Sequence, residues 1–183
     1  DPKVAGISSA VGDIGLHAWH LARYIAGLEV EAICADNTSF GAGYELEDDA
    51  NILVHYEGGA RGIVYSSQIS VGEENGLRVR IFGTDAGIDW QQENPNYLRL
   101  LYVNEPERVY KRGNDYLDPI VQHNSRLPFG HPEAFIEAFA NVYLNAARTI
   151  AARISGEEPG EFDQDFPTVE DGARGVHFIE TAI

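Results

Sequence analysis

The sequence predicts an α+β fold, with a largely antiparallel open sheet of about six strands and helices on one face. Strand-like segments follow one another from residue 30 to residue 110, and no helical pattern separates them. Helical periodicity occurs only before and after this run. With 183 residues, of which 44% are hydrophobic, the chain is long enough to bury a sizeable core. We therefore expect a single domain over residues 1–183.

The first helix is predicted over residues 13–27. Asp13 is a residue type that caps helix starts, and Gly27 is a typical C-terminal stop. At about 100° per residue, one narrow arc of this helix carries four side chains that can form hydrogen bonds: Asp13, His17, His20 and Tyr24. A carboxylate, two imidazoles and a phenol on one arc can bind a polar substrate, move protons or hold a metal.

The strands are predicted from apolar alternation and from turn residues between the segments. They cover residues 30–35, 51–56, 62–71, 77–82, 88–90, 97–102 and 108–110. Residues 111–130 show no periodicity but are rich in hydrogen-bonding side chains, which indicates a functional loop. The longest helix is predicted to open at His131 and to end at Gly156, and a last helix follows Thr168.

Composition excludes several classes of partner. Thirteen basic residues against 29 acidic residues give a formal net charge of −16. A field of that sign repels phosphate backbones and anionic membranes, so neither nucleic acid nor a membrane is an expected partner, whereas a neutral sugar or polyol would be unaffected. A single cysteine, Cys34, rules out an intramolecular disulfide. We expect it to be a small buried residue, and a reducing cytoplasm is the expected compartment.

A nucleotide-binding fold is not predicted within this chain. The nearest approach to a G-x-G-x-x-G fingerprint is residues 41–46, which lack the third glycine and run into acidic residues instead of a helix. No P-loop and no nucleophile elbow is present in the sequence. We therefore predict no cofactor-binding residues here, and weak binding of NAD(H) or NADP(H) at most by the isolated chain.

At this point the residues resemble a known family. Residues 12–17, Gly-Asp-Ile-Gly-Leu-His, match the signature of the Gfo/Idh/MocA oxidoreductases, the glucose–fructose oxidoreductase and inositol dehydrogenase group. Residues 48–62 look like the family's first hairpin, and residues 80–87 look like its following strand and turn. Residues 130–133 and 166–172 resemble elements from the last third of many members. The resemblance covers nearly the whole chain, but with the carboxyl-terminal domain alone.

The resemblance implies an NAD(P)-dependent dehydrogenase that acts on a secondary hydroxyl of a sugar or polyol. It also implies that an amino-terminal Rossmann domain, missing from this chain, binds NAD or NADP and carries a lysine at the reacting hydroxyl. The chain would then supply Asp13 and His17 as catalytic residues, with His17 as the acid/base, and would be inactive alone. An imidazole exchanges protons near neutral pH, as the oxidation of an alcohol requires.

Other residues are candidates for contacts with the substrate. They are His20, His131, Tyr24 and Asn75. We expect no metal, although Asp13, His17 and His20 have a spacing that could hold one. The alternative function is a non-catalytic sugar-binding or assembly module of the same fold. In either case a broad open sheet face is expected to form a homo-oligomer, as the resemblance also implies.

Overall fold

The computed structural model describes residues 2–183. The helices in this part of the chain are α1 (Pro2–Ala5), α2 (Leu16–Ala26), α3 (Pro119–His123), α4 (Phe135–Ser155) and α5 (Val169–Ala182), with a π-helical turn at Val11–Gly15 and a 3-10 turn at Glu57–Gly59. The strands are β1 (Val30–Thr38), β2 (Asp49–Tyr56), β3 (Arg61–Ser67), β4 (Arg78–Phe82), β5 (Ala86–Gln91), β6 (Tyr97–Tyr102) and β7 (Arg108–Lys111). Across residues 2–183, no helix combines the length and the apolar character needed to cross a bilayer.

These elements form two compact units. The first unit contains the chain up to Glu74 together with Val169–Ile183, and the second unit is Asn75–Thr168. Each unit has its own antiparallel sheet, with strand order β1-β2-β3 in the first and β4-β5-β6-β7 in the second. The predicted α+β class with antiparallel strands is confirmed. The prediction of a single domain over residues 1–183 stays a prediction.

The strands divide into two sheets because the chain leaves the first sheet after β3. The predicted strand over 62–71 ends at Ser67 in the structure. A turn follows, in which the amide of Glu73 donates to the carbonyl of Ser70. Gly72 and Gly76 then adopt φ values of +99° and +64°, a region that strands do not use. The residues between β3 and β4 therefore cannot continue the ladder.

The core of the first unit lies between one face of its sheet and two helices. On β2, every second side chain is buried, and Ile52 and Val54 are completely inaccessible to solvent. Trp19 of α2 and Phe178 of α5 cover this face with stacked rings whose centroids are 4.8 Å apart. Burial of these large side chains is the main stabilising contribution here, because the hydrophobic gain grows with the apolar area removed from water.

The opposite face of the same sheet is open. Cys34, Leu53 and Ile63 form a row across β1, β2 and β3 on this face. Leu53 is 51% exposed, Ile63 is 72% exposed, and Cys34 is exposed as well. The expectation of a buried cysteine is wrong, because the register places Cys34 on the outward side of an edge strand.

An ionic cluster lies on the sheet of the second unit. Asp89 of β5 is 3% exposed and accepts hydrogen bonds from Arg78 at 2.5 and 2.8 Å and from Arg99 at 3.0 Å. The hydrogen bond from Arg78 is the largest cause that lowers the pKa of Asp89, and the charges of Arg78, Arg99 and Arg80 act in the same direction. Asp89 thus joins β4, β5 and β6 through side chains as well as through the ladder.

The segment before α4 forms a turn instead of the predicted helix start. Glu133 is buried, and its Oε1 accepts hydrogen bonds from the backbone amides of Arg126 and Leu127 and from Nη1 of Arg112. Residues 131–134 are therefore engaged outside the helix, and α4 begins at Phe135. The helix ends as predicted at Gly156, which has φ +74°.

Candidate functional site

Asp13 lies inside the π-helical turn Val11–Gly15, which leads directly into α2. The prediction that Asp13 caps the helix is wrong, because the backbone is already helical at Ala10 and the amide of Asp13 donates to the carbonyl of Ser9. Its carboxylate is therefore available for other contacts. Turns of this kind are often found at functional sites. The predicted end of the helix at Gly27 is confirmed, with φ +64° at that residue.

A buried carboxylate fixes the segment that leads to Asp13. Oε1 of Glu47 accepts hydrogen bonds from Oγ of Ser8 at 2.6 Å, from the amide of Ser9 at 2.9 Å and from the amide of Val11 at 3.0 Å. The carbonyl of Glu47 also accepts from the amide of Ala10 at 3.1 Å. Because Glu47 lies just before β2, these four bonds attach residues 8–11 to the central strand of the first sheet.

Gly15 allows the helix start to lie close to β3. A Cβ atom at this position would lie 2.9 Å from Oγ of Ser66, a distance that real Cβ contacts do not show. Gly15 and Ser66 are both buried. A side chain at position 15 would therefore force either the hydroxyl of Ser66 or the turn that carries Asp13 to move, which favours glycine here.

Asp13 lines an open cleft of about 600 Å³ within the first unit. Its lining includes the polar side chains of Ser9, Asp13 and Gln68, and α5 contributes Ile179 and Glu180. Nε2 of Gln68 donates to Oδ2 of Asp13 at 3.3 Å, and Oγ of Ser9 donates to Oε1 of Gln68 at 2.8 Å. A surface of carboxylates, hydroxyls and an amide next to apolar side chains suits a ligand with several hydroxyl groups.

The other candidates on α2 lie along the same helix. His17 follows Asp13 by four residues and is exposed, His20 is half-buried with its ring 6.5 Å from that of Trp19, and Tyr24 is 61% exposed. The structure therefore brings these residues together with Asp13 on one helical segment, although only Asp13 lines the cleft. Within residues 2–183, no three His, Cys, Asp or Glu side chains are grouped as metal ligands.

Asn75 and His131 belong to the second unit, so their predicted place beside Asp13 stays a prediction. The amides of Asn75 and Gly76 donate to Oε1 of Glu93, and these bonds lower the pKa of Glu93. The side chain of His131 is exposed, and its carbonyl accepts a hydrogen bond from Nη2 of Arg112. This bond attaches the backbone at His131 to Arg112, with the imidazole at the surface.

Sequence reasoning missed three residues that hold Asp13 in place. Glu47 and Ser9 carry no pattern that distinguishes them from loop residues, and the predicted strand over 62–71 includes Gln68. Their contacts join positions that are 38 to 59 residues apart in the chain. The available signal is Gln68 itself. It is a polar residue directly after Ser67, the last residue of β3, and its side chain contacts Asp13.

Residues 2–89 match a family model described as the GFO/IDH/MocA C-terminal domain. A curated relative, the uncharacterized oxidoreductase YfiI of Bacillus subtilis (strain 168), is 35% identical over 185 residues, which cover 100% of this chain and 47% of the relative. The chain therefore spans about half the length of the curated relative that it matches.

Two solved structures are similar over nearly the whole chain. An inositol dehydrogenase homolog from Azotobacter vinelandii complexed with NAD+ is 33% identical, with a TM-score of 0.91 and coverage of 100% of this chain and 48% of that chain. An inositol dehydrogenase homolog from the same organism complexed with NADH and myo-inositol is 30% identical, with a TM-score of 0.84 and coverage of 97% and 48%.

Proposed function

Because the chain belongs to the GFO/IDH/MocA family and carries its C-terminal domain, we propose that it is the substrate-binding part of an NAD(P)-dependent dehydrogenase. The substrate is a sugar or polyol, and the reaction is oxidation of a secondary hydroxyl. The observation that carries this proposal is the placement of Asp13 and His17 on one anchored helical segment, with Asp13 on an open cleft. The relative with bound NADH and myo-inositol supports the choice of substrate class.

The proposed reaction separates the transfer of a hydride from the transfer of a proton. A nicotinamide cofactor, when bound, supplies the acceptor for the hydride that leaves the carbinol carbon. His17 takes the hydroxyl proton. The C–O single bond then becomes the C=O double bond of a ketone as the C–H bond breaks. Asp13 accepts a hydrogen bond from the substrate and fixes its orientation. In the reverse reaction His17 returns the proton to the carbonyl oxygen.

The rigidity of α2 suits this role. Trp19 lies between His17 and His20 in sequence and is 5% exposed, stacked on Phe178. Because the indole is fixed in the core, the backbone of the helix at His17, two residues earlier and on the opposite side, is held in place. A general base must lie within hydrogen-bond reach of the proton that it removes, so a fixed helix contributes to catalysis by positioning.

Residues 41–46, the nearest approach to a glycine-rich fingerprint, do not fit the phosphates of a dinucleotide. Oδ1 of Asp48 accepts from the amide of Phe40 at 2.9 Å, and Oδ2 accepts from the amide of Gly41 at 2.7 Å. The ring of Tyr44 fills the space beside Gly41. The amides that a phosphate would require are therefore already bonded to a carboxylate. We propose that NAD or NADP is bound mainly by the other half of the full-length protein, which acts in the cytoplasm.

The test is a substrate panel on the full-length protein. Nicotinamide absorbance is followed with inositols, aldoses and sugar acids, for the wild type, His17→Ala and His177→Ala. His177 lies on α5 and is exposed, so it serves as the matched control. We expect His17→Ala to lower kcat by roughly 10²–10⁴ and the control to retain it. Equal turnover in all three proteins would remove His17 from the mechanism.

The alternative function remains a sugar-binding module without turnover. In that case no member of the panel would be oxidised, but a sugar would still raise the unfolding temperature of the protein. We further propose that the full-length protein is a homo-oligomer through the open face of the first sheet, where Leu53 and Ile63 are exposed. An apolar row of this kind is stabilised when a second copy covers it.

A further inference from the structure

Gln68 follows β3 and connects the first sheet to the carboxylate of Asp13. Its side-chain oxygen accepts from Oγ of Ser9 at 2.8 Å, and its side-chain nitrogen donates to Oδ2 of Asp13 at 3.3 Å. The three side chains thus form a hydrogen-bonded network that runs from Ser9 through Gln68 to Asp13. All three line the same cleft in the first unit.

The charge of Asp13 selects the orientation of the Gln68 amide. A serine hydroxyl can donate or accept, so Ser9 tolerates either end of the amide. A carboxylate only accepts, and an amide rotated by 180° would place Oε1 of Gln68 against Oδ2 of Asp13. The orientation with Nε2 toward Asp13 is therefore the one in which the amide donates a hydrogen bond to this carboxylate.

Two residues of this network, Ser9 and Gln68, are attached through their backbone amides to the residues that precede β2. The amide of Gln68 donates to the carbonyl of Asp48 at 2.8 Å, and the amide of Ser9 donates to Oε1 of Glu47 at 2.9 Å. Glu47 and Asp48 lie next to each other immediately before β2. The hydrogen bond to Asp13 consequently starts from a fixed backbone, which lowers the conformational entropy lost when the carboxylate is oriented.

We propose that Gln68 is a positioning residue for Asp13. Its amide, itself oriented by Ser9, directs the carboxylate of Asp13 toward the position at which it meets a substrate hydroxyl. This inference rests on the proposed function, because it assigns Gln68 to the site in which Asp13 acts. Gln68 is not assigned contact with the reacting atoms.

The first test compares kcat, KM and pH profiles in the full-length protein. Gln68→Ala removes the hydrogen bond, and we expect kcat to fall about tenfold with KM within about twofold of the wild type. Gln68→Glu places a second carboxylate beside Asp13. The added negative charge disfavours ionisation of Asp13 and favours the protonated form of the base His17, so we expect the acidic limb of the kcat/KM profile to move upward.

Other titratable groups lie near Asp13 and contribute to the same profile. Glu180 of α5 lines the cleft, His17 follows one helical turn later, and Glu47 holds the preceding segment. The matched control is Gln164→Glu, the same chemical change at an exposed glutamine of the second unit. This control adds the same charge to the protein, so we expect it to leave the acidic limb in place. A comparable shift in the control would overturn the inference.

A purely structural role for Gln68 predicts a different result. It would lower the unfolding midpoint of Gln68→Ala and reduce activity in proportion to the folded protein, with an unchanged pH profile for Gln68→Glu. That result would overturn the inference, as would a Gln68→Ala variant with the kcat of the wild type. If His17→Ala loses activity in the same assay while Gln68→Ala behaves in this way, the proposed function is supported and only the role of Gln68 is overturned.

A second test does not depend on turnover. Selective ¹⁵N labelling of glutamine gives few side-chain amide pairs, since this chain contains Gln68, Gln91, Gln92, Gln122 and Gln164. The pair that disappears in Gln68→Ala identifies its resonance. We expect this resonance to shift as the solution is acidified in the wild type and to lose that response in Asp13→Asn. An insensitive resonance, or a response that survives in Asp13→Asn, would overturn the inference even if no substrate were found.

Discussion

Replacement of Glu47 by glutamine tests whether the segment before Asp13 depends on one buried carboxylate. The substitution keeps the size of the side chain and removes its charge. Oε1 of Glu47 accepts from three donors at 2.6, 2.9 and 3.0 Å, and the residue is 7% exposed. Two of these donors are backbone amides that no other atom of the segment satisfies, so a weaker acceptor affects the path of the chain itself.

The expected loss of stability follows from these three bonds. A hydrogen bond to a charged group contributes about 1.5–3 kcal/mol and a neutral one about 0.5–1.5 kcal/mol, so three weakened bonds amount to about 3 kcal/mol. Relief from burying a charge offsets part of this, and we expect a net loss of about 2 kcal/mol. For a chain of this size, that corresponds to a fall of about 4–8 °C in the unfolding midpoint.

The assay is urea unfolding at neutral pH, with Glu45→Gln as the control. Glu45 lies two residues earlier and is exposed, so the same chemical change there is expected to alter the unfolding free energy by less than about 0.5 kcal/mol. Equal stability of the two variants would refute the reasoning that Glu47 holds the helix start. A lower slope of free energy against urea for Glu47→Gln alone would instead indicate a change in the compactness of the unfolded or native state.

Two further predictions concern the sheets. Asp89→Asn is expected to destabilise the protein by about 1–2 kcal/mol at pH 7, because Arg78 and Arg99 lose a shared, buried partner but remain partly hydrated. Arg78 lowers the pKa of Asp89 in the folded state. The stability that this carboxylate supplies is therefore present above pH ~4 and is lost as the pH falls through the lowered pKa. Acid unfolding curves of Asp89→Asn are expected to show a weaker pH dependence in this range. Ile63→Asp, on the open face beside Leu53, is expected to lower the molar mass measured by light scattering, and an unchanged mass would contradict assembly through this face.

Much of the fold could be predicted because its signals are local. Gly27 ends α2 through its own backbone conformation, and the alternation of Ile52 and Val54 with exposed neighbours reports directly on burial. The division into two sheets could not be predicted, since it depends on the φ angles of Gly72 and Gly76, and the same residues also occur in hairpin turns. Periodicity gives the type of an element but not which sheet it joins.

The candidate site was only partly predictable for a related reason. Asp13 and His17 stand in a short motif with a recognisable spacing, so their importance is visible in the sequence. Gln68 contacts Asp13 across 55 positions, and Glu47 contacts Ser8 across 39 positions. Such contacts exist only after β2 and β3 have formed, and no local pattern of residue types encodes them. A motif therefore identifies the reacting groups, whereas the residues that orient them emerge from the tertiary structure.

The first unit is assembled from the two ends of the chain, and this has a consequence for the order of events during synthesis. Phe178, which supports Trp19 beneath the helix of His17, lies in α5, the last 14-residue helix. Asn75–Thr168 must leave the ribosome before this support exists. The second unit can thus fold during translation as a continuous segment, whereas the helix that carries Asp13 and His17 gains its packing partner only after Val169–Ile183 has been synthesised.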